Sequence, residues 1–253
     1  MHVIPVIDIK DGQAVHAVGG LREFYRPVQS AITDSSDPVR ILTVMKRRFG
    51  IERCYIADID ALEGGPVNVD LLIKLRQVGA SILVDVGVRT TDDVGRLLEL
   101  QPDHIILGSE TVEDIDLLRQ IIDTYGSERF IFSIDLKAGH LVTRNSSWRD
   151  VSPTQLGLMV AETGIDQFIL LDLSAVGTGR GLSTLDSCRE LRRQLPDAQI
   201  TAGGGVRTTT HLMQLEEAGA NSALVATAIH SGSMTAQDLR QFRDSSASSR
   251  NAG

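Results

Sequence analysis

The fold class predicted by this sequence is a single (β/α)8 TIM barrel built from two duplicated (β/α)4 half-barrels. Three observations predict it. First, Ile4-Pro-Val-Ile-Asp-Ile-Lys-Asp-Gly12 is echoed by Phe130-Ile-Phe-Ser-Ile-Asp-Leu-Lys-Ala-Gly139. Both are apolar runs closing in Ile-Asp-(Ile/Leu)-Lys-x-Gly, so Asp8 matches Asp135. Second, Gly87-Val-Arg-Thr-Thr91 returns letter for letter as Gly205-Val-Arg-Thr-Thr209, and Ala57-Asp-Ile-Asp-Ala61 has a weaker echo in Leu171-Asp-Leu-Ser-Ala175. The three pairs keep their order at a spacing of roughly half the chain, which marks an internal duplication. Third, eight apolar runs alternate with helical patterns, as a parallel sheet requires. A chain of 253 residues is the usual size of one such barrel. Two open four-stranded sheets would suit the alternation as well, but the repeat favours one closed ring.

The elements follow in order. Val3 to Asp8 is a continuous apolar run ending in a carboxylate, the pattern of a parallel strand buried on both faces. Residues 9–36 read as a long loop with Gly12, Gly19-Gly20 and Arg22-Glu-Phe-Tyr-Arg-Pro27, and a loop of that length is more often functional than idle. Asp37-Pro38 reads as an N-cap with proline at the first helical position, opening a helix over 39–49. Further strands are expected at Arg53 to Asp58, Ser81 to Val86 and His104 to Leu107, then near 130–135, 168–172, 198–202 and 222–225. Helices are expected at 69–76, 91–100 and 115–125, then near 153–163, 184–194, 208–218 and 235–243. The barrel therefore spans residues 1–243. The small polar residues 244–253 read as a disordered tail.

Composition narrows the function. The chain is 42% hydrophobic with a net charge of −8, and no basic cluster carries interleaved aromatics, so nucleic acid is not an expected partner. Lys46-Arg-Arg48 falls at a helix end, where cations complement the dipole. No apolar run has the ~18 residues of a membrane span. Cys54 and Cys188 lack metal-ligand spacing and read as reduced thiols of a cytoplasmic protein. His16, His104, His140, His211 and His230 are scattered without i,i+4 pairing. No metal or cofactor is expected.

In a barrel of this class the chemistry sits at the C-terminal ends of the strands. Asp8, Asp58, Asp85, Asp135 and Asp172 each close an apolar run there. Asp8 and Asp135, equivalent in the two halves, should face one another across the mouth and serve as general acid and base. Asp58 and Asp172 are equally well read as structural. The turn Gly203-Gly204-Gly205 after strand seven, with Ala226-Thr227 after strand eight, forms a candidate phosphate cradle, because glycines let backbone N–H groups approach an anion. By symmetry a second cradle would form at Gly87 with Gly108-Ser109. There, however, Asp85 and Val86 stand where the twin carries Gly203 and Gly204. A carboxylate at that place repels a dianion unless Arg89 or another cation offsets it. Arg22, Arg26 and Trp148 lie on loops that could touch the substrate, and Trp148 reads equally well as a packing residue.

Ile4-Pro-x-Ile-Asp-x-Lys-Asp-Gly12, the half-barrel repeat, the glycine turn and Leu107-Gly-Ser109 together resemble the histidine-biosynthesis barrels, the ProFAR isomerase (HisA) and the cyclase subunit of imidazole-glycerol-phosphate synthase (HisF). The likeness covers roughly residues 2–232. It implies a small substrate with a phosphate at each end and, for the isomerase, an Amadori rearrangement of an aminoaldose to an aminoketose. By this resemblance Asp8 is the isomerase base, and Asp135 matches the second cyclase carboxylate. One position departs. Where the relatives carry Thr-Asp-x-x-x-Asp-Gly-Thr, this chain reads Leu171-Asp-Leu-Ser-Ala-Val-Gly-Thr178, so Val176 replaces the general acid. Asp135 or Asp172 would then have to serve. The loop from Gly19 to Gln29 is closer to a group of HisA-like proteins associated with pterin-linked one-carbon metabolism, so a divergent paralogue with another phosphorylated or pterin-like substrate is the alternative. A non-catalytic ligand-binding barrel is the third reading. The cyclase works with a glutaminase partner, and no feature of this sequence points to one.

Overall fold

The computed structural model describes residues 1–242, so the tail at 244–253 lies outside the described residues. The barrel strands are β1 (His2–Lys10), β2 (Arg53–Asp58), β3 (Ser81–Asp85), β4 (His104–Gly108), β5 (Phe130–Lys137), β6 (Gln167–Asp172), β7 (Gln199–Gly203) and β8 (Ser222–Val225). Each pairs in parallel with the next, and β8 pairs with β1, His2 opposite Ser222, so the ring closes. Outside lie α1 (Pro38–Phe49), α2 (Val69–Gln77), α3 (Thr91–Glu99), α4 (Ile115–Tyr125), α5 (Pro153–Ala161), α6 (Leu185–Gln194) and α7 (Thr209–Glu217), followed by a helical stretch at 236–242. Among the described residues no helix is long and apolar enough to cross a membrane.

The local signals act as their chemistry requires. The Asp37 carboxylate accepts the Val39 N–H at 2.8 Å, Pro38 opens α1, and Gly50 closes it at φ 63°. Between them Ile41, Leu42, Met45 and Phe49 form the face that packs on the barrel. The repeated Gly-Val-Arg-Thr-Thr motif is a turn running into a helix cap: Thr90 accepts the Asp93 N–H, and Thr208 accepts that of His211. Each such cap contributes roughly 1 kcal/mol.

Strand alternation divides the core in two. Ile4, Tyr55, Leu83, Ile106, Ile131, Ile169 and Leu224 fill the inside of the ring. Ile7, Ile56, Val84, Ile105, Phe132, Leu170 and Ala223 face the helices. Because side chains alternate with a period of two, each residue at a strand's C-terminal end inherits the direction of the residue two before it. Asp8, Asp85 and Asp135 therefore point inward. Asp58 and Asp172, out of phase with Tyr55 and Ile169, point outward.

The segment 9–36 is more ordered than a plain loop. β1 runs on to Lys10, turns through Asp11 (φ 51°) and Gly12 (φ 72°), and returns as the antiparallel strand Gln13–His16, which in turn pairs with Arg26–Pro27. The second half repeats the device: Lys137 pairs with His140 across Ala138 (φ 54°) and Gly139 (φ 81°). Two-residue hairpins need positive φ at both central positions, which Asp-Gly supplies. The echoed Lys-x-Gly thus encodes a hairpin beside each rim aspartate.

Candidate active site

A cavity of about 370 Å³ opens at the C-terminal ends of the strands. Asp8, Asp85 and Asp135 line it, together with Arg22, Gly108, Gly204, Gly205, Ala226 and Thr227. The remaining sequence-predicted positions lie outside it. Asp58 caps the helical turn Ile59–Leu62, its Oδ1 accepting from Ala61 N–H and its Oδ2 from Asn68 N–H. Asp172 is fully buried, and its Oδ1 accepts from the backbone N–H groups of Ala138 and Ser174 and from the Ser174 hydroxyl. Although burial pushes the other way, these bonds, with the Ser183 hydroxyl, hold its pKa below the usual carboxylate value. An anion that is fixed in this way on the outer face of β6 organises a loop and does not supply a proton. The reading of Asp172 as the acid is therefore corrected.

Four other expectations change for equally local reasons. Trp148 is 2% exposed and packs in the outer core, not over a substrate. Trp148→Ala should destabilise the protein by about 3–5 kcal/mol, as deletion of a large buried aromatic does. The same variant should leave kcat of the folded protein unchanged, which urea titration and turnover measurements check together. The Arg26 guanidinium turns back on the carbonyls of Glu23 and Tyr25 and is exposed. Ser109 donates to the Val142 carbonyl and accepts the Asp135 N–H at 3.0 Å, so it holds a rim aspartate in place rather than a phosphate. Gly203 faces inward beneath the cavity, where a Cβ would come within 3.0 Å of Leu171 and Leu224.

The carboxylate end of the cavity is desolvated and coupled. Asp8 is pushed up to about 7 by burial and by Asp85, against the pull of the Arg22 guanidinium. Asp85 is pushed up to about 6 by burial, although its Oδ2 accepts from the Tyr55 hydroxyl at 2.5 Å and its Oδ1 from Gly87 N–H at 3.2 Å. Asp135 is raised well above the usual carboxylate value by burial and by the charge of Asp85, and the Ser133 hydroxyl at 2.7 Å offsets this only in part. Arg22 forms a two-pronged ion pair with Glu110, at 2.8 and 2.7 Å. Tyr25, another lining residue, has its hydroxyl pKa pushed up by burial.

The other end is cationic and glycine-lined. Gly204 (φ 96°) and Gly205 (φ 77°) lie in the left-handed region. A Cβ on Gly204 would approach the Asp172 carbonyl oxygen to 2.6 Å, and one on Gly205 would overlap that of Gly181. Only glycine fits this turn. Among the described residues the N–H groups of Gly205 and Val206 have no hydrogen-bond partner, and the Arg207 guanidinium, which lines the cavity, has neither a hydrogen bond nor an ion pair. Orphan N–H groups beside a free guanidinium form an anion site. The twin turn differs. Gly87 is not at the cavity wall, and Arg89 is spent on the carbonyls of Ala61, Leu62 and Gly87.

Sequence reasoning did not single out Tyr55 or Glu110, and it gave no role to Tyr25 in the loop after β1 or to Arg207 at the end of the glycine turn. Tyr55 could have been found by counting back two residues from Ala57, which lies in register between Asp8 and Asp85. Arg207 could have been found through its repeat partner, Arg89. Nothing local marks Glu110. Val176 lines the cavity and packs against the apolar residues inside the ring, while its carbonyl accepts the Gly19 N–H at 2.8 Å and so ties the loops after β6 and β1 together.

Comparison with known proteins agrees with this geometry. The protein family described as "Histidine biosynthesis protein" matches residues 2–235. The chain is 31% identical to a 1-(5-phosphoribosyl)-5-((5-phosphoribosylamino)methylideneamino)imidazole-4-carboxamide isomerase of Streptococcus thermophilus, across 96% of this chain and 99% of the relative. It is also 30% identical to the uncharacterized protein MJ0703 of Methanocaldococcus jannaschii, across 94% and 97%. An isomerase of the same name from Natronomonas pharaonis is 30% identical, across 93% and 95%.

Proposed function

Because the chain belongs to the histidine biosynthesis protein family, we propose that it is an aldose–ketose isomerase of the Amadori type, acting on a small aminoaldose that carries a phosphate. The observation that carries this reading is one cavity lined by Asp8 and Asp135, from β1 and β5 on opposite sides of the ring, and by the Gly204–Gly205 turn with Arg207 after β7.

Asp135, held protonated by burial, donates to the ring oxygen of the sugar, and the C1–O bond breaks to leave an iminium. Asp8, whose pKa lies near neutrality, takes the C2 proton, and the electron pair of that C–H bond flows toward the iminium nitrogen. The resulting enol tautomerises to the aminoketose. Atoms balance without a co-reactant. A base with a pKa close to the working pH combines a sufficient ionised fraction with driving force for proton transfer. Val176, which cannot transfer a proton, lends an apolar wall to the same cavity.

The probe is the aminoaldose formed when ribose 5-phosphate condenses with an arylamine. The expected result is its conversion to the aminoketose, with solvent deuterium entering at the reacting carbons in heavy water. Neither Asp8→Asn nor Asp135→Asn should support this. Absence of both conversion and exchange in the native protein would remove the reading. Asp85 favours a paralogue over the ProFAR isomerase itself, since its carboxylate lines the cavity opposite the glycine turn, where it would repel a second phosphate. Accordingly the gene should not rescue a histidine auxotroph that lacks that isomerase. Rescue would assign ProFAR as the substrate.

A further inference from the structure

We propose that the end of the cavity at β3 and β4 recognises a hydrogen-bond-donating nitrogen group of the substrate, an amine or amidine, in place of a second phosphate, and that Asp85 determines this specificity. The proposal rests on the isomerase reading above and names the class of substrate it takes.

The two half-barrels provide an internal control. Asp8, Ala57 and Asp85 lie side by side in register across β1, β2 and β3. Asp135, Leu171 and Gly203 lie side by side across β5, β6 and β7. Asp85 thus occupies in the first half the place that Gly203 occupies in the second. The next loop diverges in the same sense: Glu110 follows Gly108-Ser109 as Ala228 follows Ala226-Thr227. At both places the half that keeps an anion cradle has no charge, and its twin has a carboxylate facing the cavity. The cations diverge too. Among the described residues the Arg207 guanidinium is free at the cavity wall, whereas Arg89 is bound to three carbonyls and Arg22 is held on both prongs by Glu110.

What remains at this end accepts hydrogen bonds. The Tyr55 hydroxyl gives its proton to Asp85, so it offers a ligand no donor. Asp85 is only 7% exposed and lines the cavity, and its Oδ1 accepts a single bond among the described residues, from the Gly87 N–H, which leaves a lone pair open. A carboxylate oxygen held nine-tenths out of water with an open lone pair needs a donor. A phosphate offers acceptors and negative charge to this surface, whereas an amine or amidine offers N–H groups and, when protonated, the opposite charge. The apolar strip of Leu171, Leu173 and Val176 between the two ends suits the carbon frame joining the phosphate to the nitrogen group.

The test uses the full-length protein and calorimetry, which does not depend on turnover. Inorganic phosphate should bind to the native protein at one site, located by crystallography at Gly204–Gly205. The double variant Asp85→Gly, Glu110→Ala frees Arg22 and should bind two. Glucosamine 6-phosphate should bind at least ~10-fold tighter than glucose 6-phosphate, the scale of one hydrogen bond to a charged group. Asp85→Asn, which keeps the side-chain shape should the double variant fail to fold, should bring the two sugars within ~2-fold. Two phosphates on the native protein, or an equal preference for the two sugars, overturns the proposal. Loss of all phosphate binding would instead strike the isomerase reading, so the two failures are distinguishable.

Discussion

Asp8→Asn should abolish turnover and, at the same time, stabilise the protein above neutral pH. The catalytic loss is expected at about 10²–10⁴-fold in kcat, the contribution of a positioned general base. The stability gain follows from proton linkage. Burial raises Asp8 from 3.8 to about 7 in the folded chain, so between those values the folded state keeps a proton that the unfolded state has lost. Stability is therefore fully present below about pH 4 and declines as pH rises toward 7. A shift of this size corresponds to roughly 2–4 kcal/mol after allowance for the open cavity. Asparagine does not titrate and escapes that decline. Urea midpoints of the variant and the native protein should coincide near pH 4 and diverge at pH 8, with the variant more resistant. Parallel midpoints across the whole range would show that Asp8 is well solvated, and would remove the reason for treating it as a tuned base.

The glycine turn should give the second large effect. Gly205→Ala places a methyl group on the Gly181 carbonyl oxygen at a backbone φ of 77°, so the turn must open or the loop after β6 must move. The left-handed conformation alone costs about 1–2 kcal/mol for a residue with a Cβ, and the overlap adds to it. Phosphorylated substrate should then bind at least ~100-fold more weakly, since the N–H groups of Gly205 and Val206 no longer converge. Arg207→Ala separates binding from folding. Its guanidinium holds no partner among the described residues, so the melting temperature should stay within a degree or so while KM rises about 10–100-fold, the value of a charge-assisted contact. An Arg207→Ala enzyme with unchanged KM would move the phosphate elsewhere in the cavity.

Much of this architecture was legible in the chain because it is written twice. The duplicated Ile-Asp-(Ile/Leu)-Lys-x-Gly and Gly-Val-Arg-Thr-Thr motifs located the rim aspartates and both strand-to-helix turns. What hydrophobicity alone could not separate was the inside of the ring from the outside, since both faces of these strands are apolar. Asp58 and Asp172, read equally well as structural, therefore stayed beside Asp8 and Asp135 as candidates. Counting residues in twos from Tyr55 and Ile169 resolves them, but only once the inner face is known. Trp148 and Arg26 lie on loops whose path depends on tertiary packing. Glu110 becomes meaningful only through its ion pair with an arginine distant in sequence. The Asp11-Gly12 hairpin was readable from its turn chemistry, and the segment read as a loop because its strands are short.

The contrast between Asp85 and Gly203 bears on the history of the chain. In an assembly of two identical four-strand subunits, every mutation appears at both ends of the cavity, so a ligand site cannot be lost at one pole and kept at the other. Joining the copies into one polypeptide releases that constraint. An acidic residue on one side and a glycine on the other is thus a trait that arises only after the two copies stop being identical, and ancestral reconstructions that place the change in a symmetric dimer would have to explain how it tolerated both.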